Sequence, residues 1–254
     1  NRKAHMTAVG RIELADCPMP AAGADEVVVR MEYCGICGSD AHFYKEGRIG
    51  KKVAPLPFIL GHEVSGYVTE CGADVTALQP GDRVALEPGV PCGKCELCLT
   101  GKYNLCPDVV FFATPPVDGV FQEYVVHEAA LCFKLPDNVS TLEGALIEPL
   151  AVGFHAANQG GAHAGQTAVV MGAGCIGLMS MMALKSEGVS HVYVVDIMQA
   201  RLDKALELGA DGVINGKEQN AVQAVLDLTD GFGCDLVIET AGTEFTTRQA
   251  IEMV

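Results

Sequence analysis

The amino-acid sequence predicts an α/β protein, in which a small β-rich domain precedes a doubly wound parallel sheet. Residues 1–147 contain short, alternating apolar runs such as Glu26–Glu32, separated by turns rich in glycine and proline. In residues 148–254 the apolar runs are longer, and strands alternate with helices, as in a parallel sheet covered on both faces. A glycine-rich turn, Gly172–Gly177, joins the first of these strands to the first helix. We therefore place the domain boundary between residues 147 and 148.

The second domain is predicted element by element from its apolar runs and turn signals. The predicted strands are Thr167–Met171, His191–Asp196, Ala210–Asn215 and Asp235–Glu239, and the predicted helices are Cys175–Glu187, Gln199–Leu208 (capped by Gly209), Asn220–Leu228 and Thr246–Val254. A doubly wound sheet normally has about six strands, and four are found here. Because Asn1 is also not an initiator methionine, we expect an incomplete polypeptide that lacks the C-terminal part of this sheet.

Composition excludes several classes of function. The 254 residues carry 17 Lys and Arg against 32 Asp and Glu, a formal net charge of −15, which disfavours nucleic acid and anionic membrane surfaces as partners. The uncharged run Thr167–Leu184 approaches the length of a membrane helix, but its three glycines favour a strand, a turn and a helix. No signal-peptide pattern is found, and eleven cysteines then indicate reduced thiols and metal ligation in a cytoplasmic protein.

The glycine-rich turn has the GxGxxG pattern of a dinucleotide site. Gly172 permits the tight turn, Gly174 lets the backbone approach a pyrophosphate, and Gly177 lets the helix pack closely on the strand. The N-terminus of the helix then offers free N–H groups to the phosphates. The alternative is an ordinary glycine-rich turn without a ligand.

An acidic residue ends the next strand, 19 residues after the last glycine of the pattern. Asp196 can accept hydrogen bonds from both ribose hydroxyls and would repel a 2′-phosphate, which favours NAD over NADP. The alternative is that Asp196 caps a helix. Arg201 either contacts the adenosine end of the cofactor or is a solvated helix residue.

Four cysteines within 15 residues predict a structural zinc site. Thiolates at this short spacing suit a tetrahedral zinc ion with no vacant position. An iron–sulfur cluster is the alternative, because a proline follows the last cysteine, but the last gap is seven residues where bacterial ferredoxins have three. These residues, the four-cysteine lobe, are Cys92, Cys95, Cys98 and Cys106.

A second donor set consists of Cys37 together with His62 and Glu63, which are neighbours of each other in the sequence. One thiolate, one imidazole and one carboxylate leave a fourth position for water or substrate, which is the geometry of a catalytic zinc. The spacing of Cys34 and Cys37 is also that of a redox dithiol, but the flanking sequence does not look like a thioredoxin unit. We interpret Cys34 as a small core residue.

Several recognisable segments follow one another over nearly the whole chain. They are CGICGSD (34–40), GRIG (47–50), LGHEVSG (60–66), GDRVALEPG (81–89), the four-cysteine lobe, FFATPPVDG (111–119), ALIEPLAVG (145–153) and GAGCIG (172–177). In content and order these segments resemble the zinc-dependent medium-chain dehydrogenase family, and within it the sorbitol (L-iditol 2-) and xylitol dehydrogenases. The resemblance implies a GroES-like catalytic domain followed by a Rossmann sheet.

The resemblance implies roles for the residues around the catalytic zinc. Cys37 and His62 are its first two ligands, and Glu63 and Glu148 compete for the third place, directly or through a zinc-bound water. Ser39 is the hydroxyl that first accepts the substrate proton. His42 is either the next member of the proton relay or a surface histidine, and Glu148 alternatively only caps the following helix.

The resemblance also implies the substrate and cofactor contacts. Phe111 forms an apolar wall of the substrate pocket, while Ile176, Asp196 and Arg201 contact the cofactor. The expected cofactors are NAD and two zinc ions, one catalytic and one structural.

Three functions follow from the resemblance. The first is NAD-dependent oxidation of a small polyol, such as sorbitol, L-iditol or xylitol, to a ketose by zinc-assisted hydride transfer. The second is a related secondary-alcohol dehydrogenase of the butanediol or threonine type. The third is a catalytically silent protein that binds zinc and nucleotide. In each case the complete protein is expected to be a homo-oligomer, a dimer or a tetramer, without nucleic-acid or membrane partners.

Overall fold

The computed structural model describes residues 1–254 and divides them into two units, Asn1–Glu148 and Pro149–Val254. All eleven cysteines are free of disulfides. None of the helices combines the length and the apolar character that a membrane span requires.

The first unit is built mainly from short antiparallel strands. Its strands are β1 (Arg2–Ala8), β2 (Arg11–Asp16), β3 (Glu26–Gly35), β4 (Arg48–Ile49), β5 (Lys52–Val53), β6 (Phe58–Ile59), β7 (Glu63–Cys71), β8 (Arg83–Leu86), β9 (Gly89–Val90), β10 (Val110–Phe111), β11 (Tyr124–Glu128) and β12 (Cys132–Lys134). Its helices are α1 (Gly38–Glu46), α2 (Glu96–Leu99) and α3 (Thr141–Gly144), and 3₁₀ turns cover Tyr103–Leu105 and Ala129–Leu131.

A five-stranded sheet in the order β11-β3-β7-β8-β12 forms the body of this unit. The strand predicted at Glu26–Glu32 is present within β3, but the alternation predicted for it is wrong. Val27, Val28 and Val29 are all buried, because both faces of this strand are covered by protein.

Helix α1 was not expected from the sequence. It begins after Cys37, whose backbone N–H donates to Asp40 Oδ2 (3.0 Å), and it ends at Gly47, which has a left-handed backbone (φ 71°). These two end signals stabilise a short helix that has little apolar periodicity.

The second unit contains a parallel sheet in the order β15-β14-β13-β16. This is the order of the first four strands of a doubly wound sheet. The strands are β13 (Thr167–Met171), β14 (His191–Asp196), β15 (Gly212–Asn215) and β16 (Leu236–Glu239). Helix α4 (Ile147–Gln159) crosses the boundary between the units, and α5 (Cys175–Ser186), α6 (Gln199–Glu207), α7 (Ala221–Leu228) and α8 (Glu244–Glu252) follow.

All four strands and four helices predicted for this unit are present, with small shifts of their ends. The strand predicted from Ala210 begins two residues later, because the Ala210 N–H still bonds the Ala205 carbonyl at the end of α6 (3.0 Å). Helix α8 begins before the predicted Thr246, because the Thr243 hydroxyl accepts the Thr246 N–H (3.1 Å) and caps the helix.

Candidate functional site

Three of the predicted metal ligands lie together in the first unit. The ligand atoms of Cys37, His62 and Glu63 are all within 4.8 Å of one another. Cys37 immediately precedes α1, and Glu63 begins β7 directly after His62. His62 and Glu63 are buried and Cys37 is half-buried, so the donors face a shielded space. We call these three residues the donor cluster.

A buried carboxylate connects the two segments that carry the donor cluster. Asp40 accepts the Cys37 N–H through Oδ2 (3.0 Å) and the Gly61 N–H through Oδ1 (2.9 Å). Its Oδ1 is also 3.9 Å from Nδ1 of His62. The sequence interpretation assigned Asp40 no role. The sequence signal for such a role was the spacing of a capping box: Asp40 is three residues after Cys37, which precedes the helix.

The donor cluster fits a metal ion. Nδ1 of His62 is buried and has no hydrogen-bond partner, which is costly for a polar atom. A sulfur, a nitrogen and a carboxylate oxygen are all donors that zinc accepts. A bound cation would also compensate the buried negative charge of Glu63.

Burial raises the pKa of Cys37, and hydrogen bonds from the hydroxyl and backbone of Ser39 oppose this rise. Burial also raises the pKa of Glu148, a shift that His62 opposes and Glu63 increases. Glu148 is therefore close enough to interact electrostatically with two donors, although it is not a member of the donor cluster.

The remaining residues predicted for catalysis lie at different depths. Ser39 is half-buried on α1 and is hydrogen-bonded to Cys37. His42, one turn further along the same helix, has a side chain that is 64% exposed, and its Nδ1 is 3.6 Å from Oε1 of Glu46. The ring of Phe111 lies against the ring of His62, with centroids 6.0 Å apart.

Cys34 does not join the donor cluster. It packs against the core of the five-stranded sheet, and burial raises its pKa to about 12. Such a thiol, with no bound cation beside it, stays protonated at neutral pH and is a poor nucleophile. These properties agree with the interpretation of Cys34 as a core residue and disfavour a redox pair with Cys37.

The sulfurs of the four-cysteine lobe also converge. All four lie within 4.8 Å of one another, with 3.9 Å between Cys92 and Cys98 and 3.4 Å between Cys95 and Cys98. A tetrahedral zinc site with Zn–S bonds of about 2.3 Å has S–S edges of about 3.8 Å, so the spacing fits zinc.

The electrostatics of the lobe also fit a cation. Backbone N–H groups of Lys94 and Cys95 lower the pKa of Cys92 to about 6, which favours its thiolate. Burial and the adjacent sulfurs of Cys95 and Cys106 raise the pKa of Cys98. The two shifts have opposite signs because backbone N–H groups stabilise the Cys92 thiolate, whereas burial and the neighbouring sulfurs disfavour a thiolate at Cys98. Four thiolates therefore need a bound cation.

Replacing Cys106 with serine is expected to remove the zinc of the lobe and to loosen residues 92–106. Cys106 is buried, and its loss leaves an incomplete ligand set in a lobe whose only helix has four residues. Zinc content and limited proteolysis measure the two effects. Cys132→Ser is the matched control, since Cys132 is equally buried but lies outside both donor sets. Full zinc content in the Cys106 variant would contradict a site in the lobe.

The glycine-rich turn of the second unit has the features of a phosphate cradle. A Cβ at Gly174 would meet no atom within 4 Å, so the space beside this residue is open. Gly174 precedes α5, whose first N–H groups have no side-chain cap. The arrangement therefore fits the pyrophosphate of a dinucleotide.

Asp196 lies beside this turn. Its Oδ2 accepts the Ala173 N–H (2.7 Å) and its Oδ1 accepts the Met198 N–H (2.8 Å), which orients the buried carboxylate at the end of β14. Nη1 of Arg201 is 3.9 Å from Oδ2 of Asp196, and the Arg201 side chain is half exposed. Ile176 is half-buried in the first turn of α5.

The fold and these sites define a zinc-binding dehydrogenase of the alcohol dehydrogenase class. Residues 23–137 match the family model of the alcohol dehydrogenase GroES-like domain, and residues 175–254 match that of the zinc-binding dehydrogenases. Both parts of the predicted fold class are thereby confirmed.

Similarity to curated proteins assigns the chain to a particular branch of this class. The chain is 44% identical to sorbitol dehydrogenase from Bacillus subtilis over 243 residues, which cover 96% of this chain and 69% of that protein. It is also 44% identical to human sorbitol dehydrogenase over 244 residues, which cover 95% of this chain and 68% of that protein. The chain belongs to the zinc-dependent polyol dehydrogenase family and is an oxidoreductase. Zinc and a nicotinamide nucleotide are the cofactors of this family.

Solved structures agree with this assignment, and each covers the whole chain. An Escherichia coli oxidoreductase of unknown specificity has a TM-score of 0.95 at 43% identity, with 74% of its own chain covered. A zinc-binding dehydrogenase from Sinorhizobium meliloti, bound to NADP, has a TM-score of 0.90 at 31% identity, with 73% covered. 2R,3R-butanediol dehydrogenase from B. subtilis has a TM-score of 0.88 at 35% identity, with 74% covered.

Proposed function

We propose that this protein oxidises a secondary hydroxyl group of a small polyol to a ketone, with NAD as hydride acceptor. The observation that carries the proposal is the donor cluster, in which a carboxylate joins one thiolate and one imidazole. Carboxylates at a zinc site make its surroundings more polar, which suits a substrate with several hydroxyls to be hydrogen-bonded. Identity of 44% to sorbitol dehydrogenases supports this substrate class.

We assign the catalytic zinc to Cys37, His62 and Glu63, and the structural zinc to the four-cysteine lobe. Inclusion of Glu63 in the donor cluster favours it over Glu148 as the third ligand. The raised pKa of Glu148 suits a carboxyl group that hydrogen-bonds a ligand of the open position. When bound, the zinc supplies Lewis-acid chemistry at the substrate hydroxyl and the nicotinamide accepts the hydride.

The residues of α1 are proposed to move the substrate proton. Ser39 is next to Cys37 and accepts the proton first, and His42, exposed on the same face one turn later, passes it to solvent. Phe111, whose ring lies on His62, excludes water from one side of the reacting group.

The second unit is proposed to bind the cofactor through Gly172, Gly174, Gly177 and the first turn of α5, including Ile176. Asp196 binds the ribose hydroxyls, and Arg201 lies beside it. The buried negative charge of Asp196 opposes a 2′-phosphate, which supports NAD for this chain although a relative binds NADP.

Substrate oxidation tests the proposal directly. NADH production from D-sorbitol, xylitol, 2,3-butanediol and L-threonine is compared at equal concentrations, and the highest kcat/KM is expected with a sugar alcohol. Preference for butanediol would favour the alternative supported by the 35% identical butanediol dehydrogenase. Absence of turnover by a protein that binds zinc and NAD would favour a silent binding protein.

Replacing Asp196 with asparagine is expected to lower the preference for NAD over NADP by about a hundredfold or more. Two like charges about 4 Å apart near a protein surface repel by about 4 kcal/mol, and the variant removes one of them. The ratio of kcat/KM for the two cofactors measures the effect. Asp203→Asn on the exposed side of α6 is the control and should leave the ratio unchanged. An unchanged ratio in the Asp196 variant would contradict a ribose contact.

We also propose that the protein is located in the cytoplasm and that it forms a homo-oligomer. Eleven cysteines without a disulfide support a reducing compartment. Chromatography of the purified protein with light scattering measures the assembly.

A further inference from the structure

Gly35 lies directly opposite Glu63 in the five-stranded sheet. The two residues are register partners in the antiparallel pair of β3 and β7. A Cβ built on Gly35 would overlap Oε2 of Glu63 and would lie 3.1 Å from its Cβ and Cδ. The Glu63 side chain therefore fills the space that any side chain at position 35 would occupy.

The backbone itself does not require glycine at this position. Gly35 is not among the glycines with positive φ, and it is the last residue of β3. An L-residue could adopt the same conformation without strain. Glycine at position 35 therefore leaves room for the neighbouring Glu63 carboxylate, and the backbone conformation does not require it.

We propose that Gly35 is a positioning residue that keeps the Glu63 carboxylate beside Cys37 and His62, so that Glu63 and not Glu148 completes the metal site. The proposal rests on the proposed function of the donor cluster. A Cβ at position 35 forces the buried carboxylate of Glu63 away from its present position. Two of the three protein donors then remain close together, one fewer than a catalytic zinc site normally has, so zinc is held more weakly.

The test is the zinc content and zinc affinity of Gly35→Ala, measured by competition with a chelator. We expect the catalytic zinc to bind about 10- to 100-fold more weakly, the range found when groups that orient ligands are removed. The zinc of the four-cysteine lobe is retained and shows that the unit is folded. Gly38→Ala is the matched control, because a Cβ at Gly38 would meet nothing within 4 Å, and it should keep both zinc ions.

A double-mutant cycle separates positioning from a general structural role. In a Glu63→Ala background the added Cβ no longer displaces a carboxylate, so Gly35→Ala should cause no further loss of zinc affinity. Co²⁺ in place of zinc gives a second readout, with a visible spectrum that changes in Gly35→Ala and not in Gly38→Ala.

Wild-type zinc affinity in Gly35→Ala, or an equal loss in the presence and absence of Glu63, would overturn the proposal while leaving the donor cluster intact. A wild-type protein that binds zinc only in the four-cysteine lobe would instead overturn the proposed function and this inference with it.

Discussion

Replacing Cys37 with serine is expected to lower turnover by at least about a thousandfold while leaving NAD affinity unchanged. The variant loses the only sulfur of the donor cluster. A hydroxyl is a far weaker zinc ligand than a thiolate. Losing the Lewis acid should therefore lower turnover more than losing one hydrogen-bond donor of an oxyanion hole, which typically costs about 10²–10³-fold in kcat. NADH formation, zinc content and NAD titration measure the three quantities. Zinc content should fall by one ion per chain.

Cys34→Ser is the matched control for this variant. Cys34 is three residues earlier, packs on the core and has a pKa raised to about 12 by burial. It should keep both zinc ions and most of the turnover. If both variants lost turnover equally and kept their zinc, a redox pair of Cys34 and Cys37 would be favoured over a metal site.

Replacing Gly177 with alanine is expected to weaken NAD binding by more than about a hundredfold and to lower the melting temperature. A Cβ at Gly177 would overlap the carbonyl oxygen of Gly172 and would lie 2.8 Å from its carbonyl carbon. These are backbone atoms of the turn, so helix α5 must move away from β13. Overpacking of this kind typically costs about 1–3 kcal/mol.

Replacing Gly174 with alanine should have a different result, although it lies in the same turn. Its Cβ would meet no protein atom, and its backbone (φ −74°) accepts alanine. We expect an unchanged melting temperature but weaker NAD binding, because the methyl group fills the space reserved for the pyrophosphate. Unchanged NAD affinity in this variant would mean that no phosphate binds beside Gly174.

The parallel sheet could be predicted from sequence almost completely, because its signals are local. The apolar run Thr167–Met171 and its flanking glycines predict β13 with the bounds that the structure has. Helix α1 was missed because its start depends on Asp40, a residue that also bonds Gly61, 21 residues away. A helix that is stabilised by such long-range contacts does not need a regular pattern of apolar residues in its own sequence.

The choice between Glu63 and Glu148 depends on contacts that no local pattern contains. Glu63 was a candidate from the donor set found in the sequence, and the resemblance added Glu148 as its competitor. Pairing of β3 with β7 places Glu63 against Gly35 and beside Cys37, while Glu148 lies at the start of α4, outside the donor cluster.

The amino-acid sequence by itself determined which chemical groups are present: the cysteine sulfurs, the imidazole and carboxylate of the neighbouring His62 and Glu63, and a glycine-rich turn between a strand and a helix. Only the tertiary structure decided which of these groups meet. Residue identity is carried by each position alone, whereas the distance between Cys37 and Glu63 is set by strand register and by the buried hydrogen bonds of Asp40.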